Sequence, residues 1–110
     1  MQYIHKDLAV GRWFELSLAE QMGNIGSEVH RALNRQAKND EVQLFSATNR
    51  ALELLHLTIK DPRWKNGLKE LTRLKEVLAD VVFGQQQYQT TLEDLDNYFM
   101  QFALVARKRL

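Results

Sequence analysis

Apolar residues recur along most of this chain at steps of three and four, the repeat of a helix that buries one face. Leu18, Met22, Ile25, Val29 and Leu33 carry the first such stripe. It follows Ser17-Leu18-Ala19-Glu20, a capping box in which the Ser17 hydroxyl and the Glu20 carboxylate satisfy each other's backbone N–H groups. The pattern predicts a helix from Ser17 to about Lys38, or one that starts at Arg12 with Ser17 inside it. Phe45, Thr48, Leu52, Leu55 and Ile59 form a second stripe, with Asn39 or Asp40 as cap and Asp61-Pro62 as its end. Asp61-Pro62-Arg63-Trp64 reads as a short helical turn. Leu68, Leu71, Leu74, Leu78, Val81 and Val82 form a third stripe over residues 67–83, and Gly84 offers a left-handed stop. Leu95, Tyr98 or Phe99, Phe102 and Ala106 form the fourth. Thr90 or Thr91 caps it, and Arg107-Lys108-Arg109 ends it where the helix dipole favours cations. No segment alternates with period two. Four helices on short loops predict an all-α fold, an antiparallel up-and-down four-helix bundle with a short N-terminal extension, in one domain over residues 1–110.

Two faces carry more than a core stripe needs. On the second helix the apolar arc also takes in Leu44, Ala47, Ala51 and Leu54, with Leu57 outside it. On the fourth, Met100 and Leu104 project away from the core-facing set. A contiguous apolar excess marks a partner surface, so Leu54, Leu57, Met100 and Leu104 are the candidate interface residues for self-association or a protein partner. The alternative is a central second helix that buries both flanks within its own chain. On the first helix Ala19, Gly23, Gly26 and Ala37 share a narrow sector with His30. Each glycine inside a helix costs about 1 kcal/mol against alanine, so the pair predicts close approach of another helix. Gly23-Asn24-Ile25-Gly26 lacks the strand–loop–helix setting of a phosphate cradle.

Composition narrows the chemistry. The 110 residues include no cysteine, which removes disulfides, thiolate metal ligands and a thiol nucleophile. A net charge of +1 argues against a general nucleic-acid coating protein. The N-terminal Met-Gln-Tyr-Ile-His-Lys-Asp has no apolar run of a signal peptide, and no stretch reads as a membrane span, so the expected location is cytoplasmic with no membrane partner. The charge is segregated, however: residues 60–75 carry +4 and residues 76–99 carry −5. Lys60, Arg63, Lys65, Lys69 and Arg73 flank Trp64 in the basic block, and cations interleaved with an aromatic can track phosphates and stack a base. Those six are the candidate nucleic-acid residues. The opposite charge of the following block also allows contacts between copies.

Catalytic and metal signals are sparse. His5, His30 and His56 offer no pair at helical ligand spacing, so neither a metal nor another cofactor is expected. Glu93, Asp94 and Asp96 sit where a helix start favours acids, and Glu28 and Glu53 are the better candidates for burial.

The stretches Lys6-Asp7-Leu8-Ala9, Gly11-Arg12-Trp13, Leu16 to Met22, Asn24 to Glu28 and Arg50 to Leu55 resemble small uncharacterised bacterial and archaeal helical proteins. Asn24-Ile25 with Glu28, Arg31, Phe45, Ala47, Leu52 and Glu53-Leu54 is more distantly similar to the four-helix-bundle proteins of rRNA intervening sequences and to the accessory variability proteins of retroelements. Their pattern is Asn-Ile-Ala-Glu-Gly; here the acid is displaced by one residue and the glycine that follows it is absent. The resemblance implies a non-enzymatic, ring-like oligomer, and for the retroelement proteins contact with nucleic acid through strongly basic surfaces, from which this near-neutral chain departs. Arg50 and His56 are also similar to the Arg-x(4–6)-His pattern of HEPN-type ribonucleases, which implies a phosphate-holding Arg50 and an acid–base His56. Six helical residues set those side chains about 120° apart. The expectation is a non-catalytic oligomeric adaptor or accessory protein associated with RNA, DNA or a nucleic-acid-processing partner; the rival is a HEPN-like ribonuclease or toxin–antitoxin component.

Overall fold

In the computed structural model, which describes residues 11–108, the Ser17 capping box is complete. The Glu20 backbone N–H donates to Ser17 Oγ at 3.1 Å, and the Ser17 N–H donates to Glu20 Oε1 at 3.0 Å. Helix α1 therefore begins after Ser17 and spans Leu18–Ala37. The earlier start at Arg12 is only a separate 3-10 turn, Arg12–Glu15, cut off from α1 by extended backbone at Leu16 and Ser17. Helix α2 spans Glu41–Lys60, with Asp40 as its cap accepting from the Gln43 N–H, while Asn39 makes the turn at φ 56°. Asp61 caps a second 3-10 segment, Pro62–Gly67, which leads into α3, Leu68–Phe83. Helix α4 spans Leu92–Lys108. Thr91 is the residue that caps it, exchanging two hydrogen bonds with Asp94 at 3.0 and 3.1 Å. His5, Arg109 and Lys6-Asp7-Leu8-Ala9 lie outside the described residues.

The helices form the antiparallel four-helix bundle that their stripes imply, with no strand among the described residues. Helix α1 packs extensively on both α2 and α4, and α2 also carries α3, whereas α3 and α4 touch at few positions. The core runs from Trp13 through Met22, Ile25 and Val29 to Leu55, Leu78, Leu95 and Phe99. Leu54 and Leu57 correct the interface expectation: each is only 2% exposed. Helix α2 lies between two neighbours of its own chain, so its wide apolar arc is covered internally and those two leucines are unavailable to a partner.

The glycines of α1 serve the close approach their position predicts. A Cβ on Gly26 would lie 2.7 Å from Phe99 Cβ, and one on Gly23 would meet Ala103 Cα at 3.6 Å. Gly84 differs from expectation. Its φ of −97° is not left-handed; instead a Cβ there would fall 2.8 Å from Asp80 Cα. Lack of a side chain, rather than freedom at positive φ, ends α3.

Candidate interaction surfaces

The two tryptophans and Arg63 belong to a polar knot built around the buried Gln21 and Asp61 at one end of the bundle. Gln21, fully buried on α1, is its centre. Its amide donates to the Trp13 carbonyl at 2.9 Å and to Asp61 Oδ2 at 3.1 Å, while its own oxygen accepts from Trp64 Nε1–H at 2.9 Å. Trp13 Nε1–H donates to Thr58 Oγ1 at 3.2 Å. Arg63 Nη2 donates to Asp61 Oδ2 at 2.6 Å and to the Leu16 carbonyl at 2.7 Å, and its guanidinium lies 4.5 Å from the Trp64 ring centre. The Arg63 hydrogen bonds hold the Asp61 carboxyl below the ordinary aspartate range, against the opposing effect of its burial. Every side chain in this knot satisfies another, so its geometry is that of a structural plug.

That knot divides the basic block. Arg63 is committed to Asp61, and Trp64 is half-buried with its N–H in use, so neither presents the free guanidinium or free ring face that nucleic-acid contact needs. Lys60 is exposed at the end of α2, on another element. Lys65, Lys69 and Arg73 remain together, along a shallow concavity of about 600 Å³ shared with Asn66, Leu68 and Thr72 and closed by Glu76. Arg73 lies 5.5 Å from the ring centre of Tyr88. Glu70 turns toward α4, where Tyr98 Oη–H donates to Glu70 Oε1 at 2.9 Å. Burial first, and then this contact with Glu70, raise the Tyr98 phenol to about 12.

The second surface lies where α4 meets α1. Met100 and Leu104 are 48% and 51% exposed, as the fourth helix's pattern predicts. Beside Met100 runs a groove of about 250 Å³ floored by Gly23, Gly26, Phe99 and Ala103. His30 and Asp96 stand at one end of the groove with Nδ1 and Oδ1 3.1 Å apart, and Arg107 stands at the other.

Arg50 and His56 diverge within the chain. His56 turns toward α3, where Lys75 Nζ lies 3.5 Å from its Nδ1, and the six-residue offset leaves Arg50 about 120° around the helix. Desolvation, then the charges of Lys75 and Lys60, lower the His56 pKa, with Glu53 acting against them. Among the described residues no group of three or more His, Cys, Asp or Glu side chains converges as a metal site, and no helix is long and apolar enough to cross a membrane. Glu28, expected to be buried, is largely so: one carboxylate oxygen lies 3.6 Å from Arg31 and the other has no hydrogen-bond partner among the described residues. Sequence reasoning missed Gln21, whose partners are up to 43 residues distant. The glutamine on a core-facing flank of α1 was the one available signal. No protein-family model matches the chain, and no curated protein or solved structure matches it either.

Proposed function

We propose that this protein is a non-catalytic helical-bundle adaptor that acts as a self-associated assembly, with the outer face of α4 as the contact. One observation carries the reading: Met100 and Leu104 stay half-exposed on a face with acids at one end and bases at the other. Glu93 and Asp96 precede the two apolar residues, and Arg107 and Lys108 follow them. If a second copy lies antiparallel, Met100 falls opposite the partner's Leu104, and Asp96 comes within one residue of the partner's Arg107. The isologous pairing thus covers apolar surface, matches opposite charges and opposes the two helix dipoles.

Light scattering over a micromolar concentration series tests the assembly. The expected result is a mass above the monomer that Leu104→Glu returns to monomer. A strict monomer at every concentration rejects it. The non-catalytic part is tested separately, by incubation with RNA: the expected result is no cleavage, and cleavage that His56→Ala abolishes overturns it.

A further inference from the structure

We propose that Lys65, Lys69 and Arg73 form a binding row for the phosphate backbone of single-stranded nucleic acid, with Tyr88 beside Arg73 as a platform for an unpaired base. Lys69 and Arg73 are one turn apart on α3, about 6 Å along its axis, and Lys65 extends the same side from the preceding 3-10 segment. All three line one open concavity. The position of Lys65 and Lys69 has no explanation in helix stability. The first turn of α3 is the positive end of its dipole, where cations are repelled rather than favoured. Nor are the two lysines held by internal partners: neither the Lys65 nor the Lys69 side chain makes a hydrogen bond or ion pair among the described residues.

The neighbouring acids are drawn aside. Glu70 accepts the Tyr98 hydroxyl on the α4 flank, and Asp61 is neutralised by Arg63 in the polar knot. Glu76 remains at the far end, where it accepts from Tyr88 Oη–H at 3.4 Å. Three cations against one carboxylate leave the concavity positive. An anion there relieves the repulsion among the cations and between them and the helix dipole. The row is too short to embrace a duplex, whereas a single strand can lie along it and place one base on the exposed Tyr88 ring. This inference stands apart from the α4 contact, since it uses a different helix and different residues.

Fluorescence anisotropy with labelled oligouridylate and oligothymidylate, titrated with salt, tests it on the full chain. Three phosphate contacts to a single strand predict a log–log salt slope of about −2. The double variant Lys65→Gln/Lys69→Gln should flatten that slope to about −0.7, the value for one remaining contact. Tyr88→Leu should weaken binding several-fold without changing the slope, and Lys38→Gln, at the turn between α1 and α2, should change neither. Circular dichroism confirms that each of these surface variants is folded. Absence of binding at the lowest salt overturns the proposal, as does a slope unaltered in the double variant. Binding to a duplex of the same length as tightly as to the strand overturns the single-strand assignment.

Discussion

Two glycines one turn apart on α1 face opposite consequences for the same substitution. Gly23→Ala adds a methyl at ordinary contact distance from Ala103, so the helix-propensity gain of up to about 1 kcal/mol should appear as added stability. Gly26→Ala drives its methyl to 2.7 Å from Phe99 Cβ, an atom fixed to the backbone of α4. The helices must separate, and overpacking of this kind costs about 1–3 kcal/mol. Chemical denaturation of the two variants checks the sign of each, and a stabilising Gly26→Ala would contradict the close approach. Asp61 carries a second residue-scale prediction. Its carboxylate is nearly inaccessible and accepts from Gln21 and from Arg63, so Asp61→Asn should cost about 2–3 kcal/mol, discounted because Arg63 is partly in solvent. Its folded pKa lies below the unfolded one. The native state therefore binds fewer protons, and the contribution is present above the unfolded pKa and fades as pH falls below about 4. Denaturation midpoints should accordingly fall on acidification more steeply in the wild type than in Asp61→Asn. Equal slopes would show that this carboxylate is not the titrating group. Neither Gln21 nor Trp13 reads as a core residue in the sequence, because what makes them so are partners 40 and 45 residues away.

Helix boundaries were legible because their causes are local. Ser17 with Glu20, Asp40 with Gln43 and Thr91 with Asp94 each act within three residues, and the stripes between them need only the helical repeat. Which flank of a helix is covered is a property of its neighbours, and the repeat is silent about it. Leu57 on α2 and Leu104 on α4 both fall outside their stripes; α2 lies between α1 and α3 and Leu57 is buried, whereas among the described residues Leu104 stays half-exposed. The thin contact between α3 and α4 makes the Tyr98–Glu70 hydrogen bond a sensor of that helix pair. The phenol is raised to about 12, so ionisation is disfavoured in the folded state and stability should decline as pH rises from about 10 toward that value. Absorbance titration should show one tyrosine ionising late, and Glu70→Gln should move its transition downward. A Tyr98 that ionises at the ordinary tyrosine value would mean the two helices part in solution. For α4 itself, the absence of cysteine allows a clean register test. Mixed Met100→Cys and Leu104→Cys chains should cross-link to each other in preference to themselves, and preferential self-linking would reject the antiparallel register.

At the scale of the molecule, a net charge of +1 conceals how differently the surfaces are used. The sequence block of six cations loses Arg63 to the polar knot and places Lys75 beside His56, which leaves a short positive row on α3. The apolar face of α4 opens beside α1, and α1 packs chiefly on α2 and α4, so the outer side of α3 stays clear of that face. An assembly formed through α4 therefore presents at least two rows at once. Linked sites raise apparent affinity only for a ligand long enough to span them. A strand that covers one row should bind the wild type and Leu104→Glu equally well per chain. A strand long enough to reach both rows should bind the wild type at least about tenfold more tightly, and that advantage should vanish in Leu104→Glu. Conversely, Lys65→Gln/Lys69→Gln should leave the assembled mass unchanged while it weakens both strands. If Leu104→Glu weakened the short strand as much as the long one, the apolar and basic surfaces would have to overlap, which the placement of α3 away from α1 does not allow.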